Sequence, residues 1–326
     1  MTTRYVVYGA GAVGGTIAAR LHLSGREVVA IARGDHLRAM REHGLRFVTP
    51  DADELVRLPV AGSAAEAGLR EGDVVLLAVK GQDTPEALDD LAVAADAGLP
   101  VVCAQNGVDN ERQALRRFAS VYGALVYLPA QHVEPGIVEA YSAPAHGVVD
   151  VGRVPNGVDE IATHVARDLA DAGFASVAVE RIMAWKRAKL LRNLGNALDA
   201  LLEDADQADD IEQRAAAEAR ECFAAAGLAV VSDQEAEARM AAMSPPRDAG
   251  DRPRGGSSTW QSVARSSGRI ETDYLNGEIV LLGRLHGVPT PVNEALQSLA
   301  ARLARERGQP GSVTRADIQA AIRQRS

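Results

Sequence analysis

Cysteine is nearly missing from this chain. Only Cys103 and Cys222 occur, far apart and outside any metal-ligand spacing. Neither a disulfide framework nor a zinc site is indicated, no metal is expected, and a reducing, cytoplasmic compartment fits. Clustered basic charge is missing too. The 35 Lys and Arg are outnumbered by 44 Asp and Glu, for a net charge of −9, which excludes a broad grip on nucleic acid because phosphate neutralisation needs a basic surface. Long apolar runs are also lacking. "DVVLLAV" at 73–79 falls far short of the roughly 20 residues that cross a bilayer, so no membrane partner is expected. The first residues lack a charged stretch followed by an apolar one and a cleavage site, and are read as carrying no signal peptide. No internal repeat suggests a solenoid.

What is present is ample apolar material, 47% of 326 residues, more than one core holds comfortably, so two domains are expected. The first half alternates apolar runs with helical stretches. "YVVYG" at 5–9, "EVVAIAR" at 27–33, "DVVLLAV" and "PVVCAQN" at 100–106 read as strands. Helices are expected at 13–23, at 36–43 with Asp35 as N-cap, and after Thr84 as N-cap. Runs of Val, Leu and Ala without alternation imply burial on both faces, as in a parallel sheet covered by helices. Short strands between Tyr122 and Val154 read as a meander at the sheet edge. The expected fold is an α/β Rossmann-type N-terminal domain, 1–178, followed by a mainly α-helical C-terminal domain, 179–326. Helical patterns fill 181–203, 211–227, 258–286 with a break near Ser267, and 291–306. "MSPPRDAGDRPRGGSS" at 243–258 reads as a mobile loop, either a lid or ordinary surface. The acidic run 203–210 reads as a solvated loop capping the next helix.

"VVYGAGAVGG" at 6–15 places Gly9, Gly11 and Gly14 in G-x-G-x-x-G spacing between a strand and a helix, the context a dinucleotide fingerprint requires. Gly9 permits the tight turn, Gly11 lets backbone approach a pyrophosphate, and Gly14 lets helix and strand pack closely. Ala12 and Val13 then open the helix whose free N–H groups and positive dipole end face the phosphates. The second strand ends in Arg33 rather than the acidic residue that binds a ribose 2′-hydroxyl. A guanidinium there pairs with a 2′-phosphate, which favours NADPH.

Seven segments in order resemble the ketopantoate reductase family, the NADPH-dependent 2-dehydropantoate 2-reductases. They are "GAGAVGG" with Arg33, "LLAVKGQDT", "AQNGVDNE", "KLLRNLGNAL", "STWQS", "ETDYLNGEIV" and "HGVPTPVNEAL". The resemblance implies a second domain like the C-terminal domain of 6-phosphogluconate dehydrogenase, serving substrate binding and dimerisation, with a homodimer left open. It implies an active site in the cleft between the domains. Lys189 becomes the general acid, Glu271 a substrate-binding carboxylate that orients the lysine, and Lys80 and Asn106 contacts near the nicotinamide. Asn106, Asn193, Asn196 and Thr259 become substrate contacts, Thr259 standing where the family usually has a serine for the substrate carboxylate.

Reducing a ketone by hydride transfer develops an alkoxide, which an ammonium stabilises and protonates. Lys189 lies among Ala188, Leu190 and Leu191, where desolvation would lower its pKa toward working pH. The family places asparagines four and eight residues after this lysine. Here the second is Asn196, and position 197 is alanine. On one continuous helix Asn193 and Asn196 would lie about 40° and about 20° to either side of Lys189. Trp185 stands four residues before Lys189, where the family usually has two. The expected substrate is 2-dehydropantoate, reduced to (R)-pantoate in pantothenate synthesis. A paralogue acting on another small 2-oxo acid, and a non-catalytic NADPH-binding redox sensor, stay open.

Overall fold

The computed structural model describes residues 3–204, 208–253, 255–265 and 268–325. The expected helix break at Ser267 and the middle of the acidic run, 205–207, lie outside them. The described strands are β1 (Arg4–Tyr8), β2 (Glu27–Ile31), β3 (Leu45–Val48), β4 (Asp53–Val56), β5 (Val60–Ala61), β6 (Asp73–Leu77), β7 (Val101–Cys103), β8 (Val121–Tyr127), β9 (Ala130–Gln131), β10 (Ile137–Ala140) and β11 (Val148–Arg153). The helices of the α/β half are α1 (Ala12–Leu23), α2 (Gly34–His43), α3 (Ala64–Ala67), α4 (Thr84–Ala94), α5 (Asn110–Ala114) and α6 (Glu160–Asp171). They are followed by α7 (Ile182–Asn193), α8 (Asn196–Leu201), α9 (Asp209–Ala225), α10 (Asp233–Met240), α11 (Ser258–Ala264), α12 (Asn276–His286), α13 (Pro291–Arg305) and α14 (Arg315–Arg323). The chain divides into two compact units. The first comprises Met1–Asn106, Asn110–Lys186 and Asp233–Arg254, and the second Gly107–Asp109, Arg187–Ser232 and Gly255–Ser326.

In the first unit the main sheet has the order β11-β8-β7-β6-β1-β2-β5. All its pairs are parallel except β8 with the edge strand β11. From β5 to β8 this is the doubly wound order, whose reversal point beside the first strand is where such sheets bind ligands, at the carboxyl ends of the strands. Val6, Val7, Leu76, Leu77, Val101 and Val102 are all buried, as unalternating apolar strands require. The expected meander is only partly found. β8 and β11 pair at the edge, but β9 and β10 leave to form a second sheet of order β4-β3-β10-β9, in which β10 runs parallel to the distant β3. Helix α1 buries Ile17, Ala18 and Leu21 in one core with Tyr5 and Val7 of the main sheet and Phe47 and Val138 of the second. That second apolar face is why these short strands leave the edge.

The segment after α9 also differs from expectation. Arg239 of α10 forks onto buried Asp150, with Nε 2.7 Å and Nη2 2.6 Å from its oxygens. The Ser244 and Arg247 N–H groups donate to the carbonyls of Ala145 and Tyr141. Arg252 pairs with Glu139 at 2.6 Å and Glu134 at 2.9 Å. Residues 244–252 are thus tied to the first unit by backbone hydrogen bonds and by the Arg252 pair with the buried Glu139 carboxylate.

Two neutral histidines sit in this unit. The Gly136 N–H donates to His36 Nδ1 at 2.9 Å, so the ring proton is on Nε2 and donates to the Ala10 carbonyl at 2.8 Å. Burial first, and His132 with its tilted ring centred 4.1 Å away second, push His36 down to about 4. Burial and then Arg20 push His146 down to about 4 as well. Between pH 6.5 and 4 the unfolded chain takes up protons that the folded chain refuses, so stability falls with pH across that window and levels off below it. Each histidine contributes on the order of 3 kcal/mol at most to the loss. Urea titrations at pH 7 and pH 4.5 are expected to show the drop, and the H36Q/H146Q variant is expected to reduce it. An unchanged drop in that variant assigns the acid sensitivity elsewhere.

In the second unit the pattern expected for 181–203 is interrupted. α7 ends at Asn193 and α8 begins at Asn196, so the angles drawn for one continuous helix do not carry past Asn193. Gly195 lies at the join, where a Cβ would come 2.7 Å from the Glu212 carboxylate. The Asp209 and Asp210 carboxylates occupy the first turn of α9, favourable to its dipole. Glu218 of α9 accepts the N–H groups of Val292 and Asn293 at the start of α13, at 2.8 and 3.0 Å. The Asn293 side chain accepts in turn from Asn276 at 3.1 Å, tying α9, α12 and α13 together.

Candidate active site

The turn from β1 into α1 uses its glycines for different reasons. Gly9 has φ +103°, and a Cβ there would lie 2.9 Å from the Val79 nitrogen. A Cβ on Gly14 would lie 2.0 Å from the Gly9 carbonyl oxygen. The protein itself demands both. Nothing lies within 4 Å of a Cβ built on Gly11, so that glycine leaves room for something other than protein. Gly11 is the N-cap of α1 and offers no side chain to its free N–H groups, which begin at Ala12 and Val13, and the first turn carries no acid. The donor set and the open cradle fit a pyrophosphate.

Arg33 follows β2 at the N-cap position of α2. The helix starts earlier than expected, so Asp35 is not the cap. It lies in the first turn and pairs with Arg38 on the surface. Gly34, at φ +60°, permits the early start. The Arg33 side chain is 71% exposed and its Nη2 lies 2.8 Å from Asp83 Oδ2, a partner that motif matching missed. Thr84 is likewise the first residue of α4 rather than its cap.

Lys80 and Asn106 follow β6 and β7 at the carboxyl edge of the sheet, both partly exposed. Their backbones are braced. Gln105 Nε2 donates 2.8 Å to the Val79 carbonyl and 2.8 Å to Thr84 Oγ1. Thr84 donates to Asn110 Oδ1 at 2.8 Å, and Asn110 Nδ2 donates to the Asn106 carbonyl at 2.9 Å. Beside them Lys186 Nζ lies 2.5 Å from Glu111 Oε1. Sequence reasoning missed this pair. Its signal was available, because Lys186 stands four residues from both Ile182 and Leu190 on the buried side of α7, and a lysine there requires an anionic partner.

In the second unit, Lys189 is partly buried between Ala188, Leu190 and Leu191, all buried. One turn on, Asn193 Oδ1 is buried and has no hydrogen-bond partner among the described residues. Asn196 Nδ2 lies 3.5 Å from Ser258 Oγ, and the Asn196 carbonyl accepts from Ser257 Oγ at 3.3 Å. Asp199 accepts the Ser257 N–H at 2.6 Å, and Ser257 caps α11. Asn196 is thereby placed beside α11, on which Thr259 is 2% exposed. Glu271 is buried just before the short turn that leads into α12. Among the described residues no cluster of His, Cys, Asp and Glu is placed to hold a metal, and no helix is long and apolar enough to cross a membrane.

A doubly wound sheet with a dinucleotide cradle, joined to a helical unit with a half-buried lysine, belongs to the NAD(P)-dependent oxidoreductases. Residues 5–156 match the family described as ketopantoate reductase PanE/ApbA, and 181–304 match its C-terminal part. The chain belongs to this family. It is 30% identical to the 2-dehydropantoate 2-reductase of Archaeoglobus fulgidus, over 91% of this chain and 96% of that protein. It is 29% identical to that of Mesorhizobium japonicum, over 94% and 99%. The crystal structure of a PanE/ApbA family ketopantoate reductase from Ralstonia eutropha superposes with a TM-score of 0.78 at 28% identity, covering 93% of this chain and 99% of that one. D-mandelate dehydrogenase, solved with NADH and anilino(oxo)acetate, shares the fold with a TM-score of 0.77 at 21% identity over 93% and 99%.

Proposed function

We propose that this protein reduces 2-dehydropantoate to (R)-pantoate with NADPH. The observation that carries the reading is Asn193 Oδ1, a buried acceptor without a partner among the described residues, one helical turn beyond Lys189. A buried acceptor left unpaired costs about 1–3 kcal/mol, and a substrate hydroxyl satisfies it. Arg33 supports NADPH over NADH, since a guanidinium suits a 2′-phosphate. When bound, the nicotinamide supplies the hydride. The Lys189 ammonium stabilises the developing alkoxide and delivers the proton, so hydride and proton together convert the ketone to a 2-hydroxy acid. Asn193 and Asn196 hold the distal hydroxyl, the Thr259 hydroxyl meets the substrate carboxylate, and Glu271 orients the lysine. Lys80 and Asn106 stand toward the nicotinamide, with Asn106 also touching substrate.

The displaced second asparagine and the break between α7 and α8 favour one competing reading, a reductase of another 2-oxo acid. A panel of 2-oxo acids followed by NADPH absorbance separates the two. The N196A variant is expected to damage reduction of 2-dehydropantoate about 10-fold or more, and reduction of an analogue lacking the hydroxyl much less. Equal damage to both, or no turnover of 2-dehydropantoate by the wild-type protein, removes the pantoate assignment. NADPH binding without reduction of any 2-oxo acid favours a sensor.

A further inference from the structure

The Lys186–Glu111 pair has no part in the chemistry above, yet Lys186 reaches the backbone of Gln105, the residue before Asn106. Lys186 is 3% exposed and Glu111 fully buried. The ammonium donates to the Gln105 carbonyl at 2.9 Å and the Cys103 carbonyl at 3.3 Å, and forms an ion pair with Glu111 Oε1 at 2.5 Å. The carbonyls lie at and just beyond the carboxyl end of β7, and Gln105 directly precedes Asn106. Burying an ion pair is weak evidence for stability, because apolar side chains of similar volume often serve as well. What an ammonium adds is direction, a fixed tripod on two backbone oxygens. From the same residue, the Gln105 side chain reaches the Val79 carbonyl, directly before Lys80.

We infer that Lys186 is a positioning residue, with Glu111 as its counter-charge: it locks the backbone ahead of Asn106 and, through Gln105, the backbone ahead of Lys80, and so fixes how both side chains are presented. The inference rests on the reductase reading for its effect on turnover. Its structural half stands apart from that reading.

The test removes both charges together, as Lys186→Met with Glu111→Leu, so that no lone charge remains buried. Expected are a near-native melting temperature, NADPH affinity within about 3-fold of wild type, and faster hydrogen–deuterium exchange across 103–107. The kcat for whichever 2-oxo acid the wild type reduces is expected to fall about 10–100-fold with KM little changed, the scale of a misplaced contact. Glu111→Gln, which keeps an acceptor for the ammonium, is expected to recover most of that kcat. A folded double variant with wild-type exchange and kcat overturns the inference, as does E111Q falling as far as the double variant. Should the double variant not fold, Lys186→Arg decides, since it keeps the charge but replaces the tripod with a planar fork. Lowered kcat with unchanged NADPH affinity then supports the inference, and wild-type kcat overturns it. If the wild type reduces no 2-oxo acid, the reductase reading fails, and the exchange measurement alone judges the lock.

Discussion

Replacing Lys189 with alanine is expected to lower kcat by about 10²–10⁴-fold, the range of general acid catalysis, while NADPH binds with near-normal affinity. The helix should survive the change. Alanine is the best helix former, Ala188, Leu190 and Leu191 stay buried, and the glycine cradle belongs to the other unit. Single-turnover kinetics at saturating cofactor and 2-oxo acid read the effect directly, since an interaction made only in the transition state appears in kcat and kcat/KM alike. Near-normal turnover in folded protein removes Lys189 from the mechanism. It would also turn attention to Lys186, the other lysine of α7.

Arg33→Ala is expected to weaken NADPH binding by about 1.5–3 kcal/mol, the scale of hydrogen bonds to a charged group, or about 10–150-fold in Kd. NADH should be little affected. Fluorescence titration with both cofactors measures the difference, and an equal loss for the two shows that Arg33 does not read the phosphate.

Much of the first unit was legible because its signals are local. An unalternating strand, a glycine turn and a helix follow one another within residues 4–23, and the same alternation through β7 implies the parallel order. The second sheet was not legible. Its central pair joins β3 to β10 across a long stretch of chain in four-residue strands, too short for periodicity to speak. The first turn of α2 was misread because Gly34 adopts φ +60°, a freedom no propensity scale registers. The break after Asn193 was not legible either, because the apolar pattern runs on through 194–201 and only the single Gly195 marks the join. At the site, motif matching marked Gly9, Gly11, Gly14, Arg33, Lys80 and Asn106, while the groups that brace them escaped it. Asp83, Thr84, Gln105, Asn110 and Glu111 all lie inside the quoted motifs, yet their importance comes from partners that adjacency does not reveal.

The excursion of Asp233–Arg254 back onto the α/β unit bears on how this protein can be taken apart. A fragment ending at residue 178 would look like a whole nucleotide-binding module on a linear map. It would lack Arg239 and Arg252, leaving the carboxylates of Asp150 and Glu139, each nearly water-free in the intact chain, without their guanidinium partners. The fragment thereby loses the charge-assisted hydrogen bonds that join the excursion to β10 and β11. Recombination between relatives at that seam therefore has to carry the arginine-bearing excursion along with the first half. Inheritance of this module is discontinuous in the gene although its structure is continuous in space.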